Sequence, residues 1–321
     1  MNYPIDDLPG YLVLARSGEL ERRARAAWQS LSCCELCPHC CGVDRLSGEE
    51  GRCRSGALPR VASWTLHPWE EPPISGTRGS GTIFFSGCTG RCRFCQNYPI
   101  SQMGVGQTVS IERLAEMMLD LQRRGAHNIN FVTPTHWTAA ILMALPLAVQ
   151  GGLRLPLLYN CSGYERIETL HLLDGVIDIW LPDAKYGDDE VARSVSGFTD
   201  YVRHNRRALC EMYRQVGAEL ILDENGLARH GIIVRHLVLP GELAGTALVM
   251  RWLAENLPGV HVSLMDQYFP AFECVDDPLL GRKITADEYD TAFQALVGAG
   301  LDNGWVQEHE DVCALEEGVD G

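Results

Sequence analysis

The sequence predicts an α/β protein: a partial (β/α)6 barrel of the TIM type with an N-terminal Cys-rich metal-binding extension. Three observations predict it. Six continuous apolar runs alternate with helical stretches from residue 81 onward, the pattern of parallel strands buried on both faces and joined by helices. No Gly-x-Gly-x-x-Gly follows the first run, which ranks a doubly wound dinucleotide-binding sheet lower. Nine of the thirteen Cys lie between positions 33 and 95, so metal-binding loops precede and open the first βα unit.

In chain order, residues 18–31 are rich in good helix formers and predict a helix. Residues 33–80 are dense in Cys, Gly and Pro with little periodicity and predict a metal-tied loop region. The strands fall at 81–87, 128–133, 156–162, 176–182, 232–240 and 261–266, with helices near 111–124, 135–149, 166–173, 188–216, 244–256 and 285–299. Eight units would close a full barrel; six imply an open one. The division is therefore 1–74 for the N-terminal helix and Cys-rich region, 75–302 for the barrel, and 303–321 for an acidic, solvated tail.

With 321 residues and 46% hydrophobic content, the chain can bury a core of one large domain plus an appendage. No apolar run reaches the ~20 residues that span a bilayer. The first residues lack a basic segment followed by a long apolar one. A cytoplasmic protein with no membrane partner is expected. A net charge of −15 argues against a phosphate-backbone partner, so no nucleic acid is expected. Thirteen Cys without a secretory signal point to metal ligation instead of disulfides.

The densest chemistry is Cys88-Thr-Gly-Arg-Cys92-Arg-Phe94-Cys95, three thiols at C-x3-C-x2-C spacing directly after the first strand. A cubane [4Fe–4S] cluster usually takes four Cys, so three leave one iron open. An open position on a metal marks a site for substrate or cofactor. A zinc site or plain reduced thiols are the bland alternatives.

Functional residues of parallel barrels collect at the carboxyl ends of strands. The second strand ends Thr133-Pro134-Thr135-His136, the third Asn160-Cys161-Ser162-Gly163, and the fourth Asp183-Ala184-Lys185. The fifth carries Arg235-His236 and the sixth reaches Met265-Asp266. Lys185 carries extra weight because the chain has 25 Arg and only two Lys, and the two cations are not interchangeable in a tight site. Each of these residues alone reads equally well as a solvated loop group. Cys161, Cys210, Cys274 and Cys313 read as packing or tail residues.

The three-Cys spacing, with an aromatic before its last Cys, resembles the signature of radical S-adenosylmethionine (radical SAM) enzymes. The wider chain resembles their pyruvate formate-lyase activating enzyme branch, and within it uncharacterised activase-related iron–sulfur proteins. The resemblance is carried by the segment ending Ser86-Gly87-Cys88, by Val132-Thr-Pro-Thr-His136, by Leu181-Pro-Asp183-Ala-Lys185 and by Arg235-His-Leu-Val-Leu-Pro-Gly241. It implies a [4Fe–4S] cluster on Cys88, Cys92 and Cys95, with S-adenosylmethionine (SAM) held near Thr133, Thr135, Asn160, Ser162, Asp183, Lys185 and Arg235. It also implies an electron donor such as flavodoxin or ferredoxin. The radical so formed would abstract hydrogen from a glycyl-radical enzyme partner, or from a small molecule or peptide. A non-catalytic iron–sulfur binding module is the third reading. Activases carry a Gly-Gly-Glu stretch that receives the SAM amino group; here Thr133-Pro134-Thr135 stands at that strand end. Asn160 replaces a carboxylate of the activases' third strand.

Upstream, Cys34, Cys37, Cys41 and Cys53 make a four-thiol set at C-x2-C-x3-C-x11-C, with Cys33, Cys40 and His39 to spare. Four ligands form a closed shell, which fits structural zinc or a fully ligated auxiliary cluster. The resembling family has a similar Cys-x2-Cys-Pro segment before its barrel.

Overall fold

The computed structural model describes residues 8–307. Ten strands form its sheet: β1 (Arg60–His67), β2 (Ser80–Phe85), β3 (Gln107–Thr108), β4 (Ile129–Val132), β5 (Leu157–Cys161), β6 (Ile179–Pro182), β7 (Ile221–Leu222), β8 (Ala228–Leu237), β9 (His261–Met265) and β10 (Gly304–Val306). Their order is β10-β9-β8-β6-β5-β4-β2-β1-β3, with β7 attached to β8. From β2 to β10 every neighbouring pair is parallel. The six predicted strands are β2, β4, β5, β6, β8 and β9, each within a few residues of its expected place.

Helices cross between consecutive strands because their sequences carry one apolar stripe and good caps. Helix Ile111–Arg123 buries Leu114, Met117, Met118 and Leu121, and its Ser110 cap accepts from the Arg113 amide. Helix Ala286–Gly298 begins with a reciprocal Thr285–Glu288 capping box. Helix Thr138–Gln150 is apolar nearly all round because it is covered twice, by the barrel and by the N-terminal helix Glu19–Gln29. Among the described residues no helix is long and apolar enough to cross a membrane.

Side chains alternate across the strands. Outward ones such as Phe131, Tyr159 and Trp180 join the main core beneath the helices. Inward ones form a second, smaller core of Leu158, Ile179, Leu181 and Ile233, into which the short helix Pro72–Ser75 inserts Ile74. This plug fills the interior towards the strands' amino ends and leaves polar residues for the other end.

Three elements differ from the sequence reading. Residues 60–67, expected as loop, form β1, which runs antiparallel to β2 and β3; a strand set inside a Cys- and Pro-rich stretch gives little periodic signal. Because β1 pairs β2, the region before residue 75 shares the barrel's sheet. The helix expected at 188–216 is two, Asp189–Ser196 and Tyr201–Val216, divided where Gly197 and Asp200 take positive φ of 65° and 50°. Gly304–Val306, read as the start of the tail, pairs with β9 as β10. The rest of the expected acidic tail, with Cys313, lies outside the described residues.

Candidate metal centre and strand-end site

β2 runs straight into the Cys88 loop, so a rigid strand delivers the first thiol. Gly87 makes the turn with φ of 82°; a Cβ there would lie 2.8 Å from the Cys53 carbonyl oxygen and 3.0 Å from Nε2 of His136. Three backbone hydrogen bonds pin the loop. The Arg91 and Arg93 amides donate to the carbonyls of Ser196 and Val195 at 2.7 and 2.9 Å, and the Glu273 amide donates to the Arg93 carbonyl at 2.9 Å. Each sulfur has its own polar neighbour. The Gly90 amide donates to Cys88 Sγ at 3.3 Å, the Ser196 hydroxyl to Cys92 Sγ at 3.0 Å, and Cys95 Sγ lies 3.1 Å from the Ser101 hydroxyl.

Burial pushes the Cys88 thiol up to about 12, and the neighbouring Cys92 adds to the effect. Burial likewise raises Cys92, while Lys185 pulls the other way. Clustered thiols that resist ionisation are a donor set a cationic metal centre compensates. Among the described residues no three His, Cys, Asp or Glu close on the position of a single metal ion. A cubane binds its thiolates on separate irons, so its ligands need not converge on one point. The triad fits a cluster by its chemistry.

Lys185 is the cation beside this triad. Its Nζ lies 2.5 Å from Oδ2 of Asp183, and both side chains are about four-fifths buried, at 20% and 19% exposure. Burial opposes its charge, but Asp183, Cys92 and Cys88 outweigh that and hold it protonated. The turn is fixed from behind. The Asn205 amide donates to the Asp183 carbonyl at 2.9 Å, and the Tyr201 hydroxyl bridges the Lys185 amide and the Ser162 carbonyl, each at 2.9 Å.

The other strand-end residues divide. Thr133 holds φ of 58°, costly for a β-branched residue, and its amide donates to the Asn160 carbonyl at 2.9 Å. Thr133, Asn160 and Ser162 are half-buried at the mouth. Thr135 is not available there: it is 2% exposed, and its hydroxyl donates to Oε1 of Glu165 at 2.6 Å. Arg235 also differs from expectation. Its guanidinium bonds both carboxylate oxygens of Glu71, at 2.7 and 2.6 Å, and an oxygen of Glu70. With a 14% exposed side chain, Arg235 is committed to this ionic knot inside the barrel, which Asn130 joins through Glu70 at 2.8 Å. Glu70, Glu71, Glu165 and Ser196 had no signal in the sequence, because each meets its partner only after distant segments fold together; Ser101 lies six residues from Cys95 but belongs to no motif.

The N-terminal Cys loop packs on the Cys88 loop. Nε2 of His39 lies 2.9 Å from the Thr89 carbonyl oxygen, and Arg91 donates to the Arg52 carbonyl. Burial raises Cys37 and Cys53; Cys53 and Cys41 act further on Cys37, and Cys34 and Cys41 on Cys53, so the four expected thiols are electrostatic neighbours. Cys53 is buried, Cys34 and Cys37 are half-buried and Cys41 is exposed; the spare Cys33 and Cys40 are both exposed. Beside them sits Arg45, 2% exposed, donating to the His136 carbonyl at 2.7 Å and the Gly56 carbonyl at 2.6 Å, with Cys34 Sγ at 3.7 Å. No carboxylate pairs with it among the described residues. A buried guanidinium calls for an anion nearby, and metal-bound thiolates would supply one.

Residues 82–242 match the radical SAM superfamily. An uncharacterised protein of Methanocaldococcus jannaschii is 30% identical over 282 residues, spanning 84% of this chain and 75% of its own. Among solved structures, a radical SAM methyltransferase from Sphaerobacter thermophilus aligns with 71% of this chain and 66% of its own, at 16% identity and a TM-score of 0.44. The FeFe-hydrogenase maturase HydG from Carboxydothermus hydrogenoformans aligns with 68% of this chain and 50% of its own, at 15% identity and a TM-score of 0.48. A methylornithine synthase covers 90% of this chain and 72% of its own, at 14% identity and a TM-score of 0.45. The chain therefore spans just under two thirds of the first of these structures and half of the second.

Proposed function

The chain belongs to the radical SAM superfamily, and from that we propose that Cys88, Cys92 and Cys95 hold a [4Fe–4S] cluster whose open iron takes SAM. Bound together, cluster and SAM would supply one-electron reductive cleavage and hydrogen abstraction. The chain's own residues bind, orient and shield. Ser196, Ser101 and the Gly90 amide direct hydrogen bonds at the three sulfurs, which fixes their aim. Lys185, held by Asp183, places a fixed positive charge beside the thiols and would pair with the SAM carboxylate. Thr133, Asn160 and Ser162 line the mouth in place of the activases' acidic stretch. The observation that carries this reading is the pinned three-thiol loop at the end of β2 with the Asp183–Lys185 pair beside it. Reductive formation of 5′-deoxyadenosine by the reconstituted protein tests it.

The finer proposal is an activase-like role, with hydrogen taken from a glycyl-radical enzyme. The motif resemblance supports it, as does the open sheet, whose edge strands β3 and β10 leave the barrel unclosed. Formation of a glycyl radical on a co-expressed partner, read by electron paramagnetic resonance, tests that step. We further propose that Cys34, Cys37, Cys41 and Cys53 hold a second metal with Arg45 as its compensating cation. The electron donor is a flavodoxin or ferredoxin, and the free thiols suit a reducing cytoplasm.

A further inference from the structure

We propose that the face carrying Arg52, Arg54 and Arg60 is the docking surface for an acidic one-electron carrier protein, which hands over its electron beside the two Cys groups. The proposal rests on the radical SAM reading and adds where reduction enters. The chain carries a net charge of −15, yet three exposed arginines and the half-buried Arg91 lie together: Arg54 and Arg60 line one cleft, Arg54 and Arg91 both donate to Gln102, and Arg91 donates to the Arg52 carbonyl. None of the four pairs with a carboxylate among the described residues.

The cluster borders a cleft of about 550 Å³ lined by Arg45, Arg54 and Arg60 against one acid, Glu50. Apolar side chains also stand exposed in that cleft: Leu46, Leu58 and Met103, the last 68% exposed. Arginines around exposed apolar groups, methionine among them, suit a protein surface better than a lone anion. Elsewhere the acidic chain repels an acidic partner, which favours approach to this face. Redox partners need only a small interface, commonly below about 1,200 Å².

The cleft floor reaches Cys53 and Gly87, the residue before Cys88. A carrier seated there stands next to both Cys groups, which touch through Cys53 and Gly87 and through His39 and Thr89. In the transfer the carrier is oxidised by one electron and the Cys-held centre is reduced by one; no bond forms or breaks and no proton moves.

The test is calorimetric titration of the full-length, metal-loaded protein with an acidic flavodoxin at low and moderate salt. Binding should weaken as salt rises. The double variant Arg54→Glu/Arg60→Glu should weaken it by about ten-fold or more. The control Arg25→Glu/Arg251→Glu, which changes net charge equally at two exposed positions outside the cleft, should stay within about two-fold. Equal loss in both variants, no loss in the first, or no binding by the wild type to flavodoxin or ferredoxin would overturn the proposal. So would tight binding of ADP that the first variant abolishes, since that would give the arginines to a small anion. SAM cleavage driven by dithionite, which needs no docking, separates the two levels. Its absence in wild type sinks the radical SAM reading, whereas its persistence in Arg54→Glu/Arg60→Glu with flavodoxin-driven cleavage lost supports the docking surface.

Discussion

Nζ of Lys185 stands 2.5 Å from Oδ2 of Asp183, and the charge so fixed faces the thiols of Cys88 and Cys92. Lysine is a rare choice in this chain, with only two against 25 arginines, and the proposed function gives its ammonium the SAM carboxylate as partner. Losing one charge-assisted hydrogen bond typically costs ~1.5–3 kcal/mol, or roughly 10- to 150-fold in affinity. Lys185→Ala should therefore weaken SAM binding by that factor in calorimetry while cluster absorbance stays unchanged. Unchanged affinity would reduce the pair to a local ion pair.

Arg235 should behave oppositely. Arg235→Met leaves Glu70 and Glu71 facing each other in the barrel without a counter-charge, and breaking a buried pair from one side costs ~3–5 kcal/mol. Urea unfolding should show that loss. A variant of wild-type stability would mean that water already screens the knot.

These two residues mark how far the sequence could be read. Both fall at the ends of strands visible as apolar runs, and in the sequence only the rarity of lysine sets Lys185 apart from Arg235. What divides them is the partner. Asp183 is two positions from Lys185 and legible with it, whereas Glu70 and Glu71 lie more than 160 positions from Arg235 and reach it only because β1 and the Pro72–Ser75 plug fold under the barrel. Thr135 was misplaced for the same reason, its hydroxyl being taken by Glu165. The Cys88 loop was legible as a unit because its three thiols lie within eight residues of one another. β1 was missed because non-local pairing with β2, not periodicity, makes it a strand.

Glu165 gives a pH signature. Burial raises its carboxyl from the usual 4.5 to about 8, with Thr135 and Cys161 pulling the other way. Between those two values the unfolded chain releases the proton and the folded one keeps it, so stability falls as pH rises through that window. Glu165→Gln keeps the acceptor for Thr135 and cannot ionise. Its stability advantage over wild type should grow from pH 5 to 8 by a few kcal/mol, on the order set by ~1.4 kcal/mol per pKa unit. A pH-independent difference in unfolding free energy would contradict the burial argument.

The N-terminal thiols should keep their metal when the other site is destroyed. In Cys88→Ala/Cys92→Ala/Cys95→Ala, elemental analysis should still find zinc or iron, because the proposed second site takes its ligands from Cys34, Cys37, Cys41 and Cys53, none of which is altered. Electron paramagnetic resonance after reduction distinguishes the two. Finding neither metal would remove the second site and leave Arg45 without its anion.

The most direct measurement is the fate of SAM. Protein purified anaerobically, reconstituted with iron and sulfide and reduced with dithionite should convert SAM to 5′-deoxyadenosine and methionine, detected by mass spectrometry. The Cys88→Ala/Cys92→Ala/Cys95→Ala variant should produce neither above background. A wild type that binds its cluster yet leaves SAM intact, or a triple variant that still makes 5′-deoxyadenosine, would contradict the assignment of these three thiols as the radical-generating site.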